Sequence, residues 1–314
     1  MLNKAILVDH KEGDIPAEYL ERIKKLFNSI QYIPRNDPKL GDSLKDAEVA
    51  LVKISTKVDQ DFIDNAKALK YIGVCSTAFD SIDAKYARSK NIPVCNLGGY
   101  STEAVSEFFF ASLFERLFEL ERAKIQARAE DYSFDKFMGV ELKNKTLGVI
   151  GAGKIGGRIA QIGLGIGMKV IYFAKHNKPE IEKLGAQKKE LDEILSQSDF
   201  ISLNLILNKE TEGIINHDKI NLLKKGCVFI SLAPPKLIDQ EAMMEKAGKD
   251  EINFIFDHSD DIDKSLAKRF LETKNVIVYP PVAFRTKEAN TARWETFVSN
   301  VEQFIKGSPQ NVVN

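Results

Sequence analysis

Thr146-Leu-Gly-Val-Ile-Gly-Ala-Gly-Lys-Ile-Gly156 decides how this chain reads. Leu147, Val149 and Ile150 make a short apolar run, the signature of a buried strand. The run ends at once in Gly151, Gly153 and Gly156, the G-x-G-x-x-G spacing, and Arg158, Ile159, Ala160 and Ile162 open a helical pattern. Each glycine has its own task in such a strand–turn–helix unit. Gly151 permits the tight turn, Gly153 lets backbone approach a pyrophosphate, and Gly156 lets the helix lie close to the strand. The helix then presents free N–H groups and the positive end of its dipole to the phosphates. The bland alternative is a glycine-rich turn that binds nothing.

Strands and helices alternate outward from this point. Before it, strands are expected at 5–8, 49–52, 71–74 and 93–96, with helices at 17–27, 59–65 and 82–90. That is one small parallel α/β unit. Residues 102–128 contain neither proline nor glycine, and Val105, Phe109, Leu113, Leu117 and Leu120 form a stripe, which predicts one long linking helix. From Leu147 a second series begins, with strands at 147–150, 169–173, 200–203, 228–232, 252–256 and 276–278. A last helix at 288–306 carries Trp294, Phe297, Val301 and Phe304 on one face.

At 314 residues the chain has room for two cores. Lysine plus arginine equals aspartate plus glutamate, 45 each, so nothing recommends nucleic acid or an anionic membrane as a partner. Cys75, Cys95 and Cys227 are scattered, odd in number and without metal-ligand spacing; no metal site is expected, and a reducing cytosol is the simpler setting. No apolar run approaches membrane-spanning length.

The segments around these elements resemble, in order, the D-isomer-specific 2-hydroxyacid dehydrogenase family, which includes phosphoglycerate and glycerate dehydrogenases. The resemblance is carried by Leu69–Val74 with Phe79-Asp-Ser-Ile-Asp83, by Asn91–Asn96 with Gly99–Glu107, by Gly148–Gly156, by Leu222–Ile230 and by Pro280–Ala289. It implies an α/β fold of two Rossmann/flavodoxin-like parallel-sheet domains with a cleft between them. The substrate domain would be discontinuous, 1–98 plus 287–314, around an NAD(P)-binding domain at 99–286. It also implies a homodimer formed through the cofactor domain and a small-molecule substrate.

The same resemblance exposes a puzzle. The family uses an arginine to clamp the substrate carboxylate, a histidine to carry the hydroxyl proton and a glutamate to tune that histidine. At the matching positions this chain has Pro234, Pro281 and Ile262, the last with Asp261 or Asp263 as neighbouring candidates. Proline offers no proton and no side-chain charge. The substrate loop reads Ser76-Thr-Ala78 in place of a glycine pair, Lys53 replaces an arginine, and Ala283-Phe284-Arg285 follows Pro281. Phe284 would narrow the pocket near the nicotinamide. Candidate substitutes are Arg285 or Lys236 for the lost positive charge, and His258, beside Asp257, as a proton carrier. Tyr279 is a further proton donor candidate. Each has a plainer reading: solvated cations, an outward loop histidine, a packed tyrosine.

The cofactor side departs less. Gly151, Gly153, Lys154, Ile155 and Gly156 are expected to hold the pyrophosphate, and Ala233 and Asp257 to contact the nicotinamide end. Ile206 and Leu207 are expected to cover the adenine or ribose. The strand at 169–173 leads to Ala174 and Lys175 where NAD enzymes keep the ribose-binding acid. Without that carboxylate nothing repels a 2′-phosphate, so NADP(H) is expected to be accepted and preferred over NAD(H). Two functions compete. One is an NAD(P)-dependent oxidoreductase with a non-standard residue set. The other is a catalytically inactive NAD(P)-binding sensor or partner subunit. Losing the general base alone costs about 10²–10⁴ in rate, which disfavours the standard mechanism.

Overall fold

The computed structural model describes residues 2–262 and 264–314, so Asp263 lies outside the described residues. The chain forms two compact units. One runs to Ser101 and resumes at Lys287–Asn314; the other is Thr102–Thr286.

The first unit is built on strands β1 (Leu2–Val8), β2 (Phe27–Ile33), β3 (Val49–Val52), β4 (Tyr71–Val74) and β5 (Val94–Cys95), in the order β2-β1-β3-β4-β5. Their pairings are parallel. Alternation along each strand feeds two cores. Ala5 and Leu7 pack with Trp294, Phe297, Val298 and Val301 of the helix Lys287–Ile305. Ile6 and Val8 face the other way, toward Phe62 and Ile63. A parallel sheet covered on both faces needs apolar residues at every central position, which is why β3 reads Val-Ala-Leu-Val. The strand order reverses between β1 and β3, and the loops after those strands diverge there.

The second unit carries β6 (Thr146–Ile150), β7 (Lys169–Phe173), β8 (Gln187–Lys188), β9 (Phe200–Leu203), β10 (Cys227–Ser231), β11 (Ile252–Phe256) and β12 (Val276–Val278). Their order is β12-β11-β10-β9-β6-β7-β8, again parallel, with the reversal between β6 and β9. This is the doubly wound dinucleotide-binding arrangement. The helix Thr102–Phe118 belongs to this unit. Its Phe109, Leu113 and Leu117 pack with Leu147 and Val149 of β6 and with Ile159.

The sequence expectations needed three corrections. The first helix stops at Lys24, and Phe27 begins β2, an edge strand whose interior (Asn28, Ser29, Gln31) is too polar to show as an apolar run. The two-residue β8 is likewise an exposed edge. The long helix at 102–128 breaks at Glu119, which takes a left-handed φ of 49° and separates Thr102–Phe118 from Leu120–Arg128. A non-glycine residue rarely adopts that conformation, so composition gave no sign of the break. Among the described residues no helix is long and apolar enough to cross a membrane.

Candidate functional site

The three glycines of the β6 turn are held for different reasons. Gly151 has φ +93°, and a Cβ there would come within 2.9 Å of the Asn204 carbonyl carbon at the end of β9. A Cβ on Gly156 would stand 2.1 Å from the Gly151 carbonyl oxygen, so helix Lys154–Ile166 lies against the strand only because that position is bare. A Cβ on Gly153 would meet nothing within 4 Å. Gly153 is the N-cap residue of the helix, and no side chain caps it. The turn therefore leaves an open face of backbone at a helix N-terminus, the shape and polarity that a pyrophosphate fits. Lys154 is exposed beside it and Ile155 half-buried.

At the end of β7, Ala174 is half-buried and Lys175 exposed. The Lys175 ammonium lies 3.9 Å from Glu210, with both side chains about four-fifths in solvent, a pairing too wet to hold either group strongly. Lys188 of β8 reaches the Lys175 carbonyl at 3.5 Å. The end of β7 thus carries a methyl group followed by an exposed ammonium, with Lys188 reaching the same turn. Ile206 is exposed and Leu207 half-buried, in a loop closed by the Thr211 hydroxyl donating to the Ile206 carbonyl at 2.6 Å. Asn204, at the switch point, was not singled out from sequence. Its Nδ2 donates to Ser202 at 2.9 Å, while its Oδ1 is buried without a partner. Only its place directly after an apolar strand pointed to it.

The ends of β10, β11 and β12 carry the positions expected to do chemistry. Ala233 is buried, and Pro234 opens a single 3-10 turn, Pro235–Leu237, which leaves Lys236 exposed. Asp257, 4 % exposed, follows β11 and accepts a hydrogen bond from the Val282 N–H at 3.2 Å. Burial pushes its carboxyl up to about 6, against the pull of the Val282 and Ala283 backbone and of His258. Asp257 thereby ties β11 to the loop that carries Pro281, Phe284 and Arg285. Phe284 is half-buried and Arg285 exposed. His258 is half-buried, 4.0 Å from Asp261. Ile262 is partly buried and packs against the apolar cluster of this unit. Asp261 is exposed. Tyr279 is not a proton donor poised for substrate: its hydroxyl donates to Glu115, its ring packs edge-on against Phe108 at 5.3 Å, and burial pushes the phenol well up.

Among the described residues, His258, Asp260 and Asp261 bring three metal-capable atoms within 4.8 Å of one another, and the two acids are exposed. In the first unit, the substrate loop of the sequence reading is pinned by its own polar groups. Asn96 Nδ2 donates to the Thr77 carbonyl at 2.6 Å, and the Ala78 N–H to Ser76 Oγ at 3.2 Å.

Residues 110–283 match the family described as D-isomer specific 2-hydroxyacid dehydrogenase, NAD binding domain. Over 320 residues the chain is 29% identical to glyoxylate reductase of Thermococcus litoralis, covering 96% of this chain and 94% of that protein. Among solved structures it is similar to D-lactate dehydrogenase from Aquifex aeolicus complexed with NAD and lactic acid, with TM-score 0.84, 29% identity and 96% of each chain covered. It is also similar to an acyclic imino acid reductase, Bsp5, in complex with NADPH and D-Arg, with TM-score 0.85, 26% identity, and 99% and 100% covered. With the match over more than half its length, the glycine turn and both sheet orders, the chain belongs to the D-isomer-specific 2-hydroxyacid dehydrogenase family.

Proposed function

We propose that the chain is an NAD(P)-dependent oxidoreductase of this family, acting on a small 2-keto or 2-hydroxy acid or a related carbonyl compound through residues other than the family's arginine, glutamate and histidine. One observation carries the reading: the cradle at Gly153 is sterically open while Pro234, Ile262 and Pro281 hold no ionisable group. A bound nicotinamide cofactor supplies hydride. The residues of this chain supply its seat, with Gly151 and Gly156 fixing the turn, Ala233 and Asp257 lying at the nicotinamide end, and Ala174 with Lys175 leaving room and positive charge for a 2′-phosphate. NADP(H) is the preferred form on that account.

His258, next to buried Asp257, is the group best placed to move a proton; the candidate cations are Lys236, two residues after Pro234, and Arg285, four residues after Pro281. A protonated imine asks least of such a site. Hydride addition to its carbon gives the amine directly, with no proton to be delivered. The similarity to a reductase of acyclic imino acids agrees with that substrate class. The second reading is a nucleotide-binding sensor or partner subunit without turnover, and the two prolines favour it.

A homodimer through the second unit also belongs to this reading. Ile125, Tyr132, Phe134 and Met138, in and after the helix Leu120–Arg128, are 59%, 77%, 79% and 88% exposed, an apolar surface that a second copy would cover. The buried, unpaired state of Cys75, Cys95 and Cys227 suits a reducing cytosol. The test is a titration with NADPH and NADH followed by nicotinamide fluorescence, then a panel of glyoxylate, hydroxypyruvate, pyruvate and their imines with ammonia. Turnover that falls in His258→Ala or Arg285→Ala supports the enzyme. Tight nucleotide binding with no turnover on any compound supports the sensor, and no nucleotide binding refutes both.

A further inference from the structure

The first unit has a switch point of its own, and its polar groups are underspent. His10 follows β1 directly and is 5 % exposed, yet neither ring nitrogen has a hydrogen-bond partner. Arg293, on the helix Lys287–Ile305, is half-buried and points one Nη at Cys75 after β4. It donates to the Cys75 carbonyl at 3.3 Å and to its Sγ at 3.4 Å. The carbonyl contact is long for a charge-assisted bond, which runs near 2.7–2.9 Å. Its Nε is buried with no partner, and among the described residues no carboxylate pairs with it within 4.0 Å. Lys53, after β3, is already committed to Asp14 at 2.6 Å.

His10, Asp14, Lys53, Cys75 and Arg293 act on one another electrostatically. Burial, with Lys53 and Arg293, pushes the His10 ring down to about 4, against Asp14 and the Val52 backbone, so at neutral pH it is an uncharged ring with one unused donor and one unused acceptor. Each buried polar group left unpaired costs roughly 1–3 kcal/mol. An unpaired ring and an arginine without a counter-ion at one sheet end describe a place suited to an anion.

We propose that the first unit binds the carboxylate of a small organic acid at this end, with Arg293 as the charged anchor and His10 as a neutral donor. A guanidinium with free Nε matches the two oxygens of a carboxylate in a fork. The net charge also fits. Lys53 and Asp14 cancel, which leaves a single positive charge for a single negative one. The proposal rests on the reading of the substrate as a small acid.

The test uses the full chain without nucleotide. Trp294 is the only tryptophan, and the Arg293 guanidinium lies 4.9 Å from its ring, so tryptophan fluorescence reads the site directly. Glyoxylate and oxamate should give a saturable change, and calorimetry on the same series should agree. Arg293→Gln should weaken binding by about tenfold or more, and Arg293→Lys by less, because it keeps the charge and loses the fork. His10→Leu should weaken binding while raising the thermal midpoint, since it removes an unpaired buried ring; a merely structural histidine would leave the affinity unmoved. Absence of a saturable signal in the folded wild type overturns the proposal. So does an Arg293→Gln variant that binds like wild type, or an equal response to inorganic phosphate or chloride. Failure of NADPH binding in a parallel titration would sink the reductase reading and leave this site standing.

Discussion

The two sheets reverse their strand order at β1/β3 and at β6/β9, and the chemistry gathered at those two points differs in kind. In the second unit the polar groups are backbone, presented by a glycine turn. In the first they are side chains, His10 and Arg293, with Lys53 and Asp14 beside them. A backbone cradle is written into steric fit: Gly151 and Gly156 cannot gain a side chain without meeting Asn204 or Gly151 itself. Side-chain machinery has no such steric protection.

The contrast breaks most visibly within the glycines. Gly156→Ala drives a Cβ into backbone at 2.1 Å and should cost more than about 3 kcal/mol, seen in urea unfolding as loss of the second unit's transition. Gly153→Ala meets nothing and should change stability by less than about 1 kcal/mol, yet weaken NADPH binding by about tenfold. If the alanine at 153 binds NADPH normally, the open face is not the pyrophosphate seat.

Next in size is the return of the missing groups. The combination Pro234→Arg, Ile262→Glu, Pro281→His should raise glyoxylate turnover by about 10²–10⁴, because the Asp257–Val282 hydrogen bond already holds the loop that would carry the histidine. An unchanged rate would mean that the scaffold has moved along with the side chains.

Acid separates the two units with opposite signs. The His10 ring sits near 4 in the fold against 6.5 unfolded, so the unfolded chain binds the extra proton. Its contribution is intact above pH 6.5 and lost as pH falls toward 4, by up to about 3 kcal/mol. Lys53, Arg293 and Asp14 face it and should set the steepness. Asp257, raised to about 6 from 3.8, works the other way, its contribution being present below pH 3.8 and lost as pH rises through 6. His10→Leu should remove the first dependence and Asp257→Asn the second, in parallel urea titrations between pH 4 and 7. Smallest is the nucleotide choice: Ala174→Asp should move preference toward NADH by about tenfold, read as the ratio of dissociation constants.

Most of this architecture was legible because parallel strands buried on both faces must be continuously apolar, as β3 and β4 are. Edge strands escape that demand, which hid β2 and β8. The glycine turn could be read residue by residue because its spacing is its geometry. The His10–Arg293 group was not readable, since its members come from opposite ends of the chain and meet only when helix Lys287–Ile305 returns to the first sheet. Nor does spacing tell that Tyr279 is spent on Glu115, or that Ile262 turns inward.

That last contact sets a direction on change. With the Ile262 side chain taken into an apolar cluster, a carboxylate placed there would uproot packing before any catalytic partner stood ready to use it. A glutamate introduced at that position alone would first weaken the protein and gain nothing, so the present packing is latched in place by its own interior.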